Sequence, residues 1–148
     1  MTAVIGKNGV TPCKQEGDHA TPLGLFPLRR VFYRADKVAR PHTCLPTEAI
    51  SRTDGWCDDP TSPHYNKKLT LPHEARHEIL WREDDVYDII VVIGYNDDPA
   101  QAGRGSAIFM HKQRPDRSPT EGCVALSEAD LLAVLASQAT HILIHAPT

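Results

Sequence analysis

Hydrophobic positions along this chain recur mostly at strand-like spacing. Val86 to Ile93 (VYDIIVVI) is nearly continuous in β-branched residues and predicts a strand buried on both faces. Ser106 to Met110 (SAIFM) predicts a shorter buried strand, its antiparallel neighbour, ending at His111. Leu25 to Tyr33 (LFPLRRVFY) predicts another, with Pro27 marking an edge or the first residues. His141 to His145 (HILIH) reads as a final alternating strand with its histidines exposed. Helical signals are few. Ser127 is placed to cap a helix that carries Glu128 and Asp130 in its first turn and Leu131, Leu132, Val134 and Leu135 on its apolar face, ending near Gln138. The stretch Pro72 to Trp81 is compatible with a second helix, Pro72 taking its first position. The expectation is a mainly β fold with one or two short helices and loop-rich connections.

Composition narrows the class. A chain of 148 residues buries enough surface to stand without staples, so one domain spanning 1–148 and a monomer are expected. The net charge of −3 argues against general nucleic-acid binding, and no apolar run is long enough to span a membrane. Met1 to Gly9 lacks the basic start, apolar core and cleavage site of a signal peptide. Of the four cysteines, Cys44 and Cys57 are the candidate disulfide pair, with free thiols the equal alternative; there is no CxxC to hold a structural zinc. Arg29, Arg30, Arg34, Lys37 and Arg40 form a basic run that reads as a solvated face, or alternatively as a wall attracting an acidic peptide.

The candidate chemistry centres on Thr120-Glu121-Gly122-Cys123, where a cysteine follows a glycine between a loop and a helix. The polar loop from Lys112 to Pro119 returns the chain toward His111, so a base and a thiol can meet across it. A neighbouring imidazolium would favour the thiolate. Gly122 permits a tight turn, and the N–H groups of Gly122 and Cys123 are candidate donors to a developing oxyanion. The bland alternative is a buried structural cysteine. A second pattern, His73-Glu74-Ala75-Arg76-His77, matches the H-E-x-x-H helix of zinc peptidases, with Glu74 activating water, but its polar surroundings argue for a solvated or packing helix. Arg52 to Asn66 is a loop in which Trp56, Tyr65 and Asn66 either line a substrate groove or anchor a small cluster. Tyr95, in the turn after VYDIIVVI, is either a second oxyanion donor or a plain loop residue.

The order strand, His111, loop, Thr120 to Val124 resembles the signature of the YkuD-type L,D-transpeptidase catalytic domain. The early stretch Thr21-Pro22-Leu23-Gly24-Leu25-Phe26 is similar to a second block of that family. The resemblance implies a twisted β-sandwich or barrel-like fold with the cysteine in a cleft, and needs no metal or organic cofactor. It implies Cys123 as nucleophile, His111 as base and Gly122 at the oxyanion site, with Thr120 beside the substrate. The implied partners are peptidoglycan stem peptides, as donor and acceptor, in the periplasm or cell wall. The implied reaction forms a thioester on a stem-peptide diamino acid and passes it to an amine, giving a 3,3 or 1,3 cross-link or D-amino acid exchange; water as acceptor gives carboxypeptidase activity. Ala125 departs from the Arg or Asn frequent two residues after the cysteine, and a backbone carbonyl is the implied partner orienting His111. A zinc metallopeptidase built on His73, Glu74 and His77, or a non-catalytic wall-binding module, are the competing classes.

Overall fold

The computed structural model describes residues 1–147. In chain order its strands are β1 (Val10–Thr11), β2 (Thr21–Pro22), β3 (Gly24–Tyr33), β4 (Thr47–Ala49), β5 (Asp54–Cys57), β6 (Lys68–Thr70), β7 (His77–Ile79), β8 (Ile89–Ile93), β9 (Phe109–Lys112) and β10 (Val124–Leu126). Helix α1 (Glu128–Ala136) and β11 (His141–Ile144) complete the chain. The mainly β expectation holds, with multiple sheets and one helix among the described residues, as in a YkuD-like β-sandwich.

The main sheet runs β10-β9-β8-β3-β11, with β4 added beside β3. Every residue of β8 is buried, as continuous β-branched sequence requires of a strand covered on both faces. One side packs Val31, Ile89, Val91 and Met110 against Leu131 and Leu135 of α1; the other packs Phe32, Ile90, Phe109 and Trp56. Fully burying a large apolar side chain contributes roughly 1.5–3 kcal/mol, so these two clusters make the central strands the rigid part of the molecule. Antiparallel β8 and β9 place Ile90 opposite His111, and parallel β9 and β10 place Ala125 opposite the same histidine. The Ser127 side chain caps α1 by accepting the Asp130 N–H at 3.1 Å. Pro27 sits within β3, opposite His141 of β11 and just before the register shift between Leu28 and Arg30 in the β3–β8 ladder.

Two expectations are corrected, and one choice between alternatives is decided. The stretch from Pro72 is not helical: bends lead into β7, which pairs with β5 by setting Trp56 opposite Glu78 and Cys57 opposite His77. All four cysteines are free, Cys44 exposed and Cys57 buried in a small cluster with Leu69 and Ala75, so the Cys44–Cys57 bridge is not formed. The basic run builds no cleft wall. Arg29 pairs with Asp97, Arg34 with Asp36, and Lys37 with Asp85 and Asp88, while Arg34 also stacks 3.6 Å from the Trp81 ring centre.

Candidate active site

The Thr120 to Cys123 turn is made by its own side chain. Thr120 Oγ1 accepts the Gly122 N–H at 3.1 Å and donates to the Cys123 carbonyl at 2.7 Å, closing a small ring around Glu121 and Gly122. Gly122 has φ +137°, and a Cβ there would lie 2.9 Å from the Ala20 carbonyl oxygen, so only glycine fits. The N-terminal segment holds the turn from the other side. Val4 and Ala125 exchange backbone hydrogen bonds at 2.8 and 2.7 Å, the Thr120 N–H donates to Ile5, and the Lys7 N–H donates to Thr120. Thr21, fully buried, accepts the Gly6 N–H at 2.9 Å and comes within 3.5 Å of the Cys123 carbonyl. The two sequence blocks, far apart in the chain, therefore meet as the two sides of one turn.

Cys123 and His111 both line a cleft of about 540 Å³. The thiol donates to the Ala107 carbonyl at 3.2 Å and accepts the Phe109 N–H at 3.4 Å. Ala107 itself is left-handed, φ +53°, a conformation that a non-glycine residue holds only when its surroundings fix it. Asn66 Oδ1 accepts the Ala107 N–H at 3.0 Å and so supplies part of that fixing. His111 Nδ1 lies 2.9 Å from the Lys112 carbonyl oxygen. A carbonyl can only accept, so Nδ1 carries the proton and Nε2 is the free basic nitrogen. The Tyr87 ring stands edge-on to the imidazole, centroids 5.5 Å apart, and the Tyr87 hydroxyl donates to the Glu78 carboxylate.

Burial dominates the electrostatics of both groups. It pushes the Cys123 thiol up to about 12, with Glu78 and Glu121 pushing the same way against the Phe109 N–H and Lys14. It lowers the His111 imidazole to about 4, aided by Arg114 and Arg82 and opposed by the Lys112 carbonyl and Asp84. Both shifts favour the neutral thiol and the neutral imidazole, the opposite of a thiolate held by an imidazolium.

The remaining sequence candidates divide. Gly122 and Thr120 are at the site, but the Gly122 N–H and the Thr120 hydroxyl are both engaged within the turn. Trp56, Tyr65, Asn66 and Tyr95 lie outside the cleft lining. Trp56 is buried edge-on against Phe109 and donates its indole N–H to Asn66 Oδ1 at 2.9 Å. Asn66 Nδ2 donates to the Tyr95 and Asn96 carbonyls. The Tyr65 hydroxyl donates to Glu16 and accepts the Gly105 N–H, bracing the segment that leads to Ala107. The Tyr95 hydroxyl donates to the Arg104 carbonyl at 2.6 Å and its ring packs on Phe26, which gives it a loop-bracing role and no place as an oxyanion donor. His145 is exposed, as its strand position predicted.

Sequence reasoning did not find Glu78, Tyr87, Arg82, Arg114, Lys7 or His19, all of which line the cleft. Only the alternation His77, Glu78, Ile79 carried a signal, since it places Glu78 on the opposite face of a strand from its neighbours. The H-E-x-x-H residues do not converge. His73 Nδ1 accepts the Ala75 N–H at 3.0 Å, and His77 Nδ1 lies 2.7 Å from the Ala75 carbonyl oxygen, whereas two zinc ligands at this spacing need one helical face. Among the described residues no group of three His, Cys, Asp or Glu side chains is arranged to hold a metal ion. No described helix is long and apolar enough to cross a membrane.

Comparison with known proteins agrees with this geometry. A search of curated proteins returns no match, and neither does a search of solved structures. The family model for the L,D-transpeptidase catalytic domain, YkuD, matches residues 1–140, a span that contains every element described at the site. The chain belongs to the YkuD family of L,D-transpeptidase catalytic domains.

Proposed function

We propose that the protein is a cysteine-dependent acyltransferase acting on peptidoglycan stem peptides, with Cys123 as nucleophile and His111 as its base. The observation that carries this reading is the pair itself: a thiol and an imidazole lining one cleft, the imidazole tied by Nδ1 to a backbone carbonyl so that Nε2 remains to take a proton. Sulfur attacks the donor carbonyl as its proton passes to Nε2. The C–N bond to the terminal residue breaks, that proton goes to the departing amine, and a thioester remains on Cys123. An amine of a second stem peptide, or a free D-amino acid, then attacks the thioester and the sulfur recovers a proton; water in the same place gives the carboxypeptidase product.

The cleft carries both signs of charge, with Lys7, Arg82 and Arg114 facing Glu16, Asp58, Glu78 and Glu121. That mixture suits a diamino acid bearing an ammonium and a carboxylate better than it suits a uniformly acidic ligand. The test is intact mass spectrometry after incubation with a carbapenem, wild type beside Cys123→Ala. One adduct on the wild type and none on the variant is expected; equal adducts, or none on either, would remove the nucleophile role of Cys123.

A further inference from the structure

We propose that Glu78 is the residue that binds the cationic amine acceptor and takes its surplus proton. The assignment rests on the acyl-transfer reading of Cys123. Glu78 stands on β7, which pairs with β5 and through it lies beside the cluster that holds Cys123. It faces the same cleft as Cys123 and His111, and its one side-chain donor is the Tyr87 hydroxyl, which engages Oε1. Oε2 is left for a ligand. The same tyrosine packs its ring against His111, so the carboxylate and the imidazole are set on the two ends of one rigid side chain.

Proton balance gives this carboxylate a task. An acceptor enters neutral solution as R–NH3+, and its conversion to an amide N–H releases two protons. His111 can deliver one to the departing sulfur as the C–S bond breaks and the C–N bond forms. The other must leave the ammonium before nitrogen has a lone pair with which to attack. Glu78 accepts it as R–NH3+ becomes R–NH2, and then loses it to solvent through the open cleft. A group of this kind needs a proton affinity above that of an exposed carboxylate, and burial of Glu78 supplies it, with Asp58 and Glu121 adding to the rise and Tyr87 and Arg82 opposing it. The charged and titratable groups that share the cleft with Glu78 are these four, the Cys123 thiol that it disfavours as an anion, His111, Lys7, Arg114, Glu16 and His19.

The test compares two small acceptors with a stem tetrapeptide as donor, reading donor consumption and product masses in the wild type and in Glu78→Gln. Propylamine is a cation at neutral pH, and methoxyamine is uncharged there. In Glu78→Gln, transfer to propylamine is expected to fall about 100-fold relative to transfer to methoxyamine, with more of the donor going to hydrolysis. Glu78→Asp, which keeps a carboxylate at the position, is expected to recover part of the propylamine transfer that Glu78→Gln loses, a rescue that a merely structural role for the side chain does not give. Equal losses for both acceptors, or no loss for either, would overturn the assignment while a carbapenem adduct on Cys123 still stood. Absence of that adduct on the wild type would overturn the acyl-transfer reading and the assignment with it.

Discussion

Asn66 Oδ1 accepts the Ala107 N–H at 3.0 Å, and the carbonyl of that left-handed alanine is the group to which the Cys123 thiol points. The amide thus reaches the Cys123 thiol through one intervening residue. Its side chain makes four hydrogen bonds in all, to Trp56, Ala107, Tyr95 and Asn96. Asn66→Ala leaves those buried groups without partners and is expected to destabilise the fold by about 2–4 kcal/mol, read as a drop in the urea midpoint at unchanged slope. An unmoved midpoint would mean that water replaces the amide.

Gly122→Ala should be worse than its size suggests. The added methyl meets the Ala20 carbonyl oxygen at 2.9 Å in a backbone region that L-residues rarely adopt. The expected result is loss of the carbapenem adduct together with a stability loss of about 1–3 kcal/mol. Gly103→Ala is the control, because a Cβ there meets nothing within 4 Å and only its φ of +79° opposes it. A Gly122→Ala protein that acylates at the wild-type rate would show that the turn can relax.

The buried histidine makes stability fall with acid. In the unfolded chain His111 takes a proton near 6.5, but in the folded protein only near about 4. Its contribution is therefore complete above pH 6.5 and is lost as pH falls toward 4, amounting to about 3 kcal/mol at about 1.4 kcal/mol per pH unit. Urea midpoints from pH 7.5 to 4 should slope in the wild type and slope less in His111→Gln. Parallel slopes would place the acid sensitivity elsewhere.

Thiol labelling should run opposite to naive expectation for a nucleophile. Cys13 and Cys44 are exposed, whereas Cys123 is buried and its thiol is held up at about 12. Iodoacetamide at pH 7.5 is expected to modify Cys13 and Cys44 first and Cys123 far more slowly, its rate climbing as pH rises into the alkaline range. Peptide mapping against time reads all three. Cys123 labelling first at neutral pH would mean that the thiolate already exists in the resting site.

Elements whose residues speak for themselves were legible in the sequence. Val86 to Ile93 has no polar face to show solvent apart from Asp88, and its second half, Ile89–Ile93, is the buried strand at the centre of the main sheet, while Val86 to Asp88 form the turn that leads into it. Ser127 followed by acidic residues became a capped helix. Thr120, Cys123 and His111 line one cleft, as the polar loop that returns the chain between them suggested. What was not legible is what pairing decides. His73 to His77 carries a helical motif, yet the antiparallel partner β5 pulls His77 to Ile79 into a strand and turns Glu78 from an apparent surface charge into a cleft group. Asn66 and Tyr65 read equally as groove residues or as anchors under a loop, a choice sequence does not make; here they turn inward to satisfy backbone groups around Ala107.

The strand that follows Cys123, β10, is clamped between residues 109–112 on one side and the N-terminal segment on the other, and the contact between Thr21 and Cys123 spans 102 positions. During synthesis, therefore, the turn around Cys123 is not held until Val4 and Ile5, made at the start, meet Ala125 and Thr120 far along the chain. Closing so distant a contact is slow compared with forming α1 or a local hairpin. The orientation of the Cys123 thiol is thus a product of long-range closure of the chain and of no local element alone.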